Sequence, residues 1–146
     1  AYASIKPAML QIESHPYLTQ ENLIQHAHNL NIAVTAFSPL GSLSYVSLKM
    51  AKVEDSLLKQ REIIEIAENL KRTPAQVVLR WGIQRKTAII PKSSRIEKLR
   101  ENIALFDFEL NADQMNKISG LNINYRFNDP ANFCKKAFGE FYSIYD

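Results

Sequence analysis

Three short runs dominate the chain: Met9-Leu10-Gln11-Ile12-Glu13, Ile32-Ala33-Val34-Thr35-Ala36-Phe37 and Thr87-Ala88-Ile89-Ile90. Each is largely apolar or β-branched, each is followed by turn residues, and stretches with helical periodicity separate the runs. Strand–helix–strand alternation constrains a chain to a parallel sheet joined by crossover helices. The second run is apolar almost throughout, as a strand covered on both faces requires. Three parallel strands on their own leave two unpaired edges and one bare face. The pattern therefore predicts an α/β arrangement that is part of a larger sheet or barrel.

The intervening segments carry local punctuation. Thr19 is positioned to cap a helix running to about Leu30, with Leu23, Ile24, Ala27 and Leu30 on one face and Asn31 as its stop. Residues 43–58 have no clear period and read as irregular. A helix is expected from Arg61 to Leu70, with Ile63, Ile64, Ala67 and Leu70 inward. Thr73-Pro74-Ala75-Gln76 is a capping box with proline at the first helical position, opening a helix that ends near Gly82. Ser94-Arg95-Ile96-Glu97 fits a second box, opening a helix to about Ile103. Asn111 starts a last short helix ending at Gly120. Residues 121–146 are aromatic and aperiodic and read as a tail, so the chain divides into residues 1–120 and 121–146.

Composition narrows the function classes. The 146 residues are 46% hydrophobic and 23% charged with a net charge of +3, enough for one globular core. The mild positive balance suits a small anionic ligand and is too weak for nucleic acid. No apolar run approaches the roughly 18 residues of a membrane span. Cys134 stands alone, which excludes an internal disulfide framework and suits a reducing, cytoplasmic setting. The N-terminus shows no secretory pattern. It begins at Ala1, compatible with processing or truncation. No His, Cys, Asp and Glu combination has metal-ligand spacing.

The most informative loop follows the third run. Pro91 stops the strand, Lys92, Ser93 and Ser94 follow at once, and Arg95 and Lys98 fall on the next helix's first turn. First-turn amides lack intrahelical partners and sit at the positive end of the helix dipole. With these cations they would suit a phosphate, and in (β/α)8 barrels such sites commonly follow the late strands. A capped helix with a solvated basic face is the equally simple alternative.

The segments "QIESHPYLTQENLI", "TAFSPLGS", "IIPKSSRIEKLRENI", "FDFEL" and "RFNDP", in that order, resemble the C-terminal half of an aldo-keto reductase, from about Lys6 to Pro130. "INYRFNDP" is similar to the xylose reductase branch. The resemblance implies a partial (β/α)8 TIM barrel, three parallel strands with outer helices plus a C-terminal tail. It implies a soluble oxidoreductase that uses NADP, with NAD possible, to reduce an aldehyde or aldose carbonyl. By position, Gln11 would hydrogen-bond the nicotinamide carboxamide. Phe37 would stack on the nicotinamide, where the family usually has tyrosine. Ser38, Leu40 and Ser42 would cover the pyrophosphate. Lys92, Ser93, Ser94 and Lys98 would hold the 2′-phosphate. Lys98 replaces a usual arginine and so lacks its bidentate fork, and Arg95 on the same turn could compensate. Glu101 and Asn102 would face the adenine, and Asn128 would contact sugar hydroxyls. Phe133 stands near a tryptophan of that branch.

Each of these residues also has a plain structural role open to it: Gln11 a strand glutamine, Phe37 a core aromatic. His15 is expected to serve the "HPY" turn, and His26 and His28 a solvated helix face. Glu13 is a weak candidate base, with Lys6 and Lys92 as possible partners, and Cys134 an inert thiol. The resemblance also implies what is missing. The family's proton-donating tyrosine and the lysine, aspartate and histidine around it belong to its N-terminal half, and none of the six tyrosines here lies in that motif. The chain is thus expected to bind cofactor without catalysing, and to need the missing half of the barrel or to self-associate. The other class is a non-catalytic nucleotide-binding or packing module.

Overall fold

A computed structural model describes residues 3–46, 48–131, 135, 137 and 139–141. Three strands, β1 (Met9–Glu13), β2 (Ala33–Phe37) and β3 (Thr87–Ile89), form one parallel sheet in the order β1-β2-β3. Gln11 pairs with Thr35, Glu13 with Phe37 and Ala36 with Ile89. Side chains alternate across a strand, so Met9, Gln11, Glu13, Ala33, Thr35, Phe37 and Ala88 share one face. Leu10, Ile12, Val34, Ala36, Thr87 and Ile89 share the other.

The second face carries helix α1 (Glu21–Asn29), whose Ile24 and Ala27 bury Val34 together with Leu10, Ile12 and Ile32. The first face is largely bare: Gln11, Ala33 and Ala88 are exposed and Met9 is 56% exposed. Thr19 does not cap α1. Gln20, in the left-handed region, takes that position without a side-chain bond. The Thr19 amide donates instead to Asn122 Oδ1 at 3.1 Å. Asn31, at φ 57°, does end the helix as expected.

Between β2 and β3 lie α2 (Leu43–Val46), two 3-10 turns (Val53–Asp55 and Leu57–Lys59), α3 (Arg61–Leu70) and α4 (Pro74–Gln84). Within the aperiodic stretch, the described residues 43–46 and 48–58 form single turns, with Leu57 fully buried among them. The larger core gathers around it. Ile63, Ile66 and Ala67 of α3, Val77, Val78 and Trp81 of α4, and Ile118 of α6 (Ala112–Ser119) meet there with Phe127 from the tail. Helix α4 forms the expected box: Thr73 Oγ1 accepts from the Gln76 amide at 3.2 Å, and Gln76 Oε1 accepts from the Thr73 amide at 3.1 Å. It runs through Gly82 to Gln84, and Gly82 lets β3 approach it; a Cβ there would meet Ile89 Cγ2 at 3.0 Å.

The box expected at Ser94 does not form. Helix α5 covers Ile96–Ile103 behind Arg95, whose side chain makes no cap. Ser93 Oγ accepts from the Arg95 amide at 3.2 Å, a local turn that delays the helix by one residue. Asn111 and Gln114 do make a box at the start of α6.

Candidate functional site

All the loops that follow strands open at the same end of the sheet, because the strands are parallel. At that end β1 presents Gln11, exposed, and β2 presents Phe37, half-buried, on one face and one register step apart. The chain then turns at once. Ser38 has φ 50°, its carbonyl accepts from the Gly41 amide at 2.9 Å, and Gly41 lies at φ 70°. The Ser38 hydroxyl shares a 2.7 Å hydrogen bond with Tyr45 Oη. Leu40 is half-buried against the larger core, while Ser42 is fully buried and its hydroxyl has no partner among the described residues. Loop 38–42 is therefore fixed by backbone turns, with one orphan hydroxyl inside it.

The β3 loop presents Lys92, Ser94 and Arg95, all exposed, with Ser93 half-buried. No side chain caps α5, in contrast to α4 and α6, so its first-turn amides keep their capacity for an anion. Lys98 is partly committed, since its Nζ pairs with Glu101 at 2.5 Å. Glu101 also accepts from Thr73 Oγ1 at 2.7 Å. Burial pushes the Glu101 carboxyl up, but hydrogen bonds from Lys98 and Thr73, and the charges of Lys98 and Arg95, outweigh it and hold the group below the usual range. Asn102 is half-buried and lines a shallow apolar groove of about 310 Å³ between α4, β3 and α5, with Ile83, Ile89, Leu99 and Phe106.

Glu13 has different partners from those expected. Its Oε1 accepts from the Phe127 amide at 3.0 Å and its Oε2 from the Asn128 amide at 3.1 Å, and His15 Nε2 lies 3.1 Å from Oε1. Both side chains are buried, Glu13 at 1% exposure and His15 at 0%. His15 also anchors the turn through paired backbone bonds with Leu18. His15 is thus the turn residue expected, while Glu13, in place of Lys6 or Lys92, has His15 and two backbone amides as partners and is not placed as a free base. Of the remaining histidines, His26 is exposed and His28 half-buried. Asn128 is brought to the strand ends through its backbone, half-buried. Phe133 and Cys134 lie outside the described residues.

Two residues that pattern reading passed over knit this end together. Tyr45 stacks on Phe127, 5.8 Å between centroids and 12° apart, and Phe127 in turn meets His15 at 5.2 Å. Burial raises the Tyr45 phenol above its ordinary range despite the opposing bond to Ser38. Burial likewise raises Tyr17, against the opposing bond from Gln60. Neither shift makes a phenol a readier acid near neutral pH. Alternation places Glu13 two residues beyond Gln11 on the same face but does not show its partners, and nothing local signals Tyr45.

The model of the aldo/keto reductase family matches residues 1–123. The chain belongs to that family. An NADPH-dependent D-xylose reductase of Meyerozyma guilliermondii is 45% identical over 130 residues, 88% of this chain and 41% of that protein. An NAD(P)H-dependent D-xylose reductase of Aspergillus niger is 44% identical over 134 residues, 90% of this chain and 42% of that one. Among solved structures, MGS-M4, an aldo-keto reductase from a deep-sea metagenome library, superposes with a TM-score of 0.76 at 30% identity, covering 86% of this chain and 43% of that chain. The Gox0644 apoform superposes with a TM-score of 0.70 at 36% identity, covering 81% of this chain and 39% of that one. The three strands and their outer helices are thus part of an aldo-keto reductase TIM barrel, and the chain spans about two-fifths of the curated relatives it matches. Among the described residues no helix is long and apolar enough to cross a membrane, and no cluster of three or more metal-ligating side chains occurs.

Proposed function

We propose that this chain is the cofactor-binding, C-terminal part of an NADP-dependent aldo-keto reductase that converts an aldehyde or aldose carbonyl to the alcohol. One observation carries the reading. Gln11 and Phe37 share a sheet face, and loops 38–42 and 92–95 open beside them at one end.

The residues fit a dinucleotide piece by piece. The exposed Gln11 amide offers a donor and an acceptor to a carboxamide. The Phe37 ring gives a stacking face without needing a hydroxyl. Ser38, Leu40 and Ser42 form a turn over a pyrophosphate, and the unpartnered Ser42 hydroxyl gains a ligand oxygen if the loop adjusts. Lys92, Ser93, Ser94 and Lys98, with the uncapped start of α5, hold a 2′-phosphate, and Arg95 adds charge where Lys98 is shared with Glu101. Glu101 and Asn102 take the adenine side, and Asn128 the sugar hydroxyls. Bound NADPH supplies the hydride. This chain's residues hold and orient; the proton for the nascent alkoxide comes from the part of the barrel that the relatives have and this sequence does not span. That part would also cover the groove at Ile89, Leu99 and Phe106 and the outer edge of β3.

The test is to follow NADPH oxidation with xylose or an aldehyde, for the 146-residue chain alone and joined to an upstream barrel half. A positioned general acid contributes roughly 10²–10⁴-fold, so the chain alone should bind dinucleotide without turning over and the joined protein should turn over. Turnover by the chain alone at about 1 s⁻¹ or more would mean that it holds its own proton donor. Failure to bind dinucleotide in either form would favour a packing module instead.

A further inference from the structure

The segment from Asn122 to Asn128 is laced to the end of β1 and the turn after it. The Thr19 amide donates to Asn122 Oδ1 at 3.1 Å, and the Tyr17 carbonyl accepts from Ile123 at 3.3 Å and from Tyr125 at 2.9 Å. These bonds hold the upstream part of the segment. Beyond Tyr125, Phe127 and Asn128 direct their backbone amides at the two oxygens of one buried carboxylate. The donors come from residues 114 and 115 positions away in sequence. His15 Nε2 adds a third contact, and the His15 ring itself lies tilted against the Phe127 ring, 5.2 Å between centroids.

A buried carboxylate is costly unless its lone pairs are filled, and hydrogen bonds to a charged acceptor are stronger than neutral ones. The Glu13 site takes two of these three contacts from backbone N–H groups of one segment. It therefore specifies where that segment's backbone runs, whatever its side chains are. Glu13 belongs to the strand that carries Gln11, two residues on and on the same face.

We propose that Glu13 is a positioning residue: its carboxylate seats residues 127–128, and with them Asn128, at the carboxyl end of β1. What the seat serves rests on the reductase reading above; how the segment is held does not. Glu13 touches neither hydride nor carbonyl. It acts through the backbone of Asn128, placing that side chain relative to Gln11.

Two readouts separate these claims. In the 146-residue chain, amide hydrogen exchange is measured for the native protein and for Glu13→Gln, which keeps shape and one acceptor but turns an NH₂ toward one of the donors. Exchange at Phe127 and Asn128 should rise about tenfold or more, the scale of losing a hydrogen bond to a charged acceptor. Amides of Ile123, Tyr125 and the α4 core should stay near their native rates. Glu13→Asp, which retains the charge one methylene short, should fall between. In the joined reductase, Glu13→Gln should raise KM for the sugar with little change in kcat or NADP affinity, and Asn128→Ala should raise KM without altering exchange. Unchanged exchange at Phe127 and Asn128, or acceleration spread equally over α4, overturns the seat. Faster exchange with no change in KM for either variant leaves the seat standing and overturns the substrate role assigned to Asn128.

Discussion

Gly41→Ala puts a methyl group where two separate constraints forbid it. Gly41 lies at φ 70°, a region that costs an L-residue about 1–2 kcal/mol. Its new Cβ would also stand 2.5 Å from Leu57 Cδ2 and 3.4 Å from Phe127 Cε2. Leu57 is fully buried at the centre of the larger core, so it has little room to swing away, and overpacking of this kind costs about 1–3 kcal/mol. The sum predicts a loss of about 2–5 kcal/mol. Urea unfolding followed by the fluorescence of Trp81, the only tryptophan, measures it. The double variant separates the two terms. Leu57→Ala alone should cost about 2–5 kcal/mol through the cavity it leaves. Combined with Gly41→Ala it removes the clash, so the pair should fall short of the sum by about 1–3 kcal/mol, leaving only the backbone strain. A Gly41→Ala loss under about 1 kcal/mol, or effects additive within about 0.5 kcal/mol, would refute the reasoning. The displaced 38–42 turn should weaken dinucleotide binding in parallel.

Further outcomes concern the cation loop and α5. Lys92→Ala should weaken NADP by about 1–3 kcal/mol, as loss of a charge-assisted bond does, and NAD much less; equal losses by fluorescence quenching would count against a 2′-phosphate site. Glu101 titrates below its ordinary value of 4.5 in the folded chain, so its contribution to stability is present above that pH and lost as pH falls through the lower folded value. Acid titrations of native and Glu101→Gln protein should therefore diverge above pH 4.5 and converge below it. Parallel curves throughout would show that Lys98 and Thr73 do not stabilise the carboxylate.

Some local signals pass straight into the fold, and others are overridden by a neighbour or a distant partner. Arg61 to Leu70 shows its helical period, and the Thr73 box works because Pro74 presets the first helical φ. Ser94-Arg95-Ile96-Glu97 fits the same capping pattern without the proline, and Ser93 captures the Arg95 amide first. Thr19 has a capping side chain, but its backbone is drawn into a bond with Asn122 more than a hundred residues on. The Glu13 partnership fails to show for a related reason: backbone amides bear no residue-specific mark, and a contact across 114 positions leaves no periodicity. The 43–58 stretch shows no period because its described residues, 43–46 and 48–58, form single turns near Leu57. The neighbourhood of Gln11 and Phe37 was legible because strand register is set by alternation. The coupling of Lys98 to Glu101 and Thr73 was not, since it depends on how α4 and α5 dock.

Helix α5 buries none of its own residues. It is moored chiefly from α4: Gln76 Nε2 donates to the carbonyls of Glu101 and Ala104, Thr73 donates to Glu101, and Arg80 donates to the Leu105 carbonyl just beyond. A segment tied by polar bonds, with no apolar anchor of its own, opens at a lower free energy than the core. A ligand that binds only the closed form suppresses such opening by mass action. A dinucleotide spanning Lys92 to Asn102 would then add a further polar tie across the helix, and the concentration of free cofactor would set what fraction of the molecules keeps α5 docked. Proteolytic nicking within 96–103 would accordingly report cofactor occupancy in a cell extract, long before any change in the global unfolding midpoint.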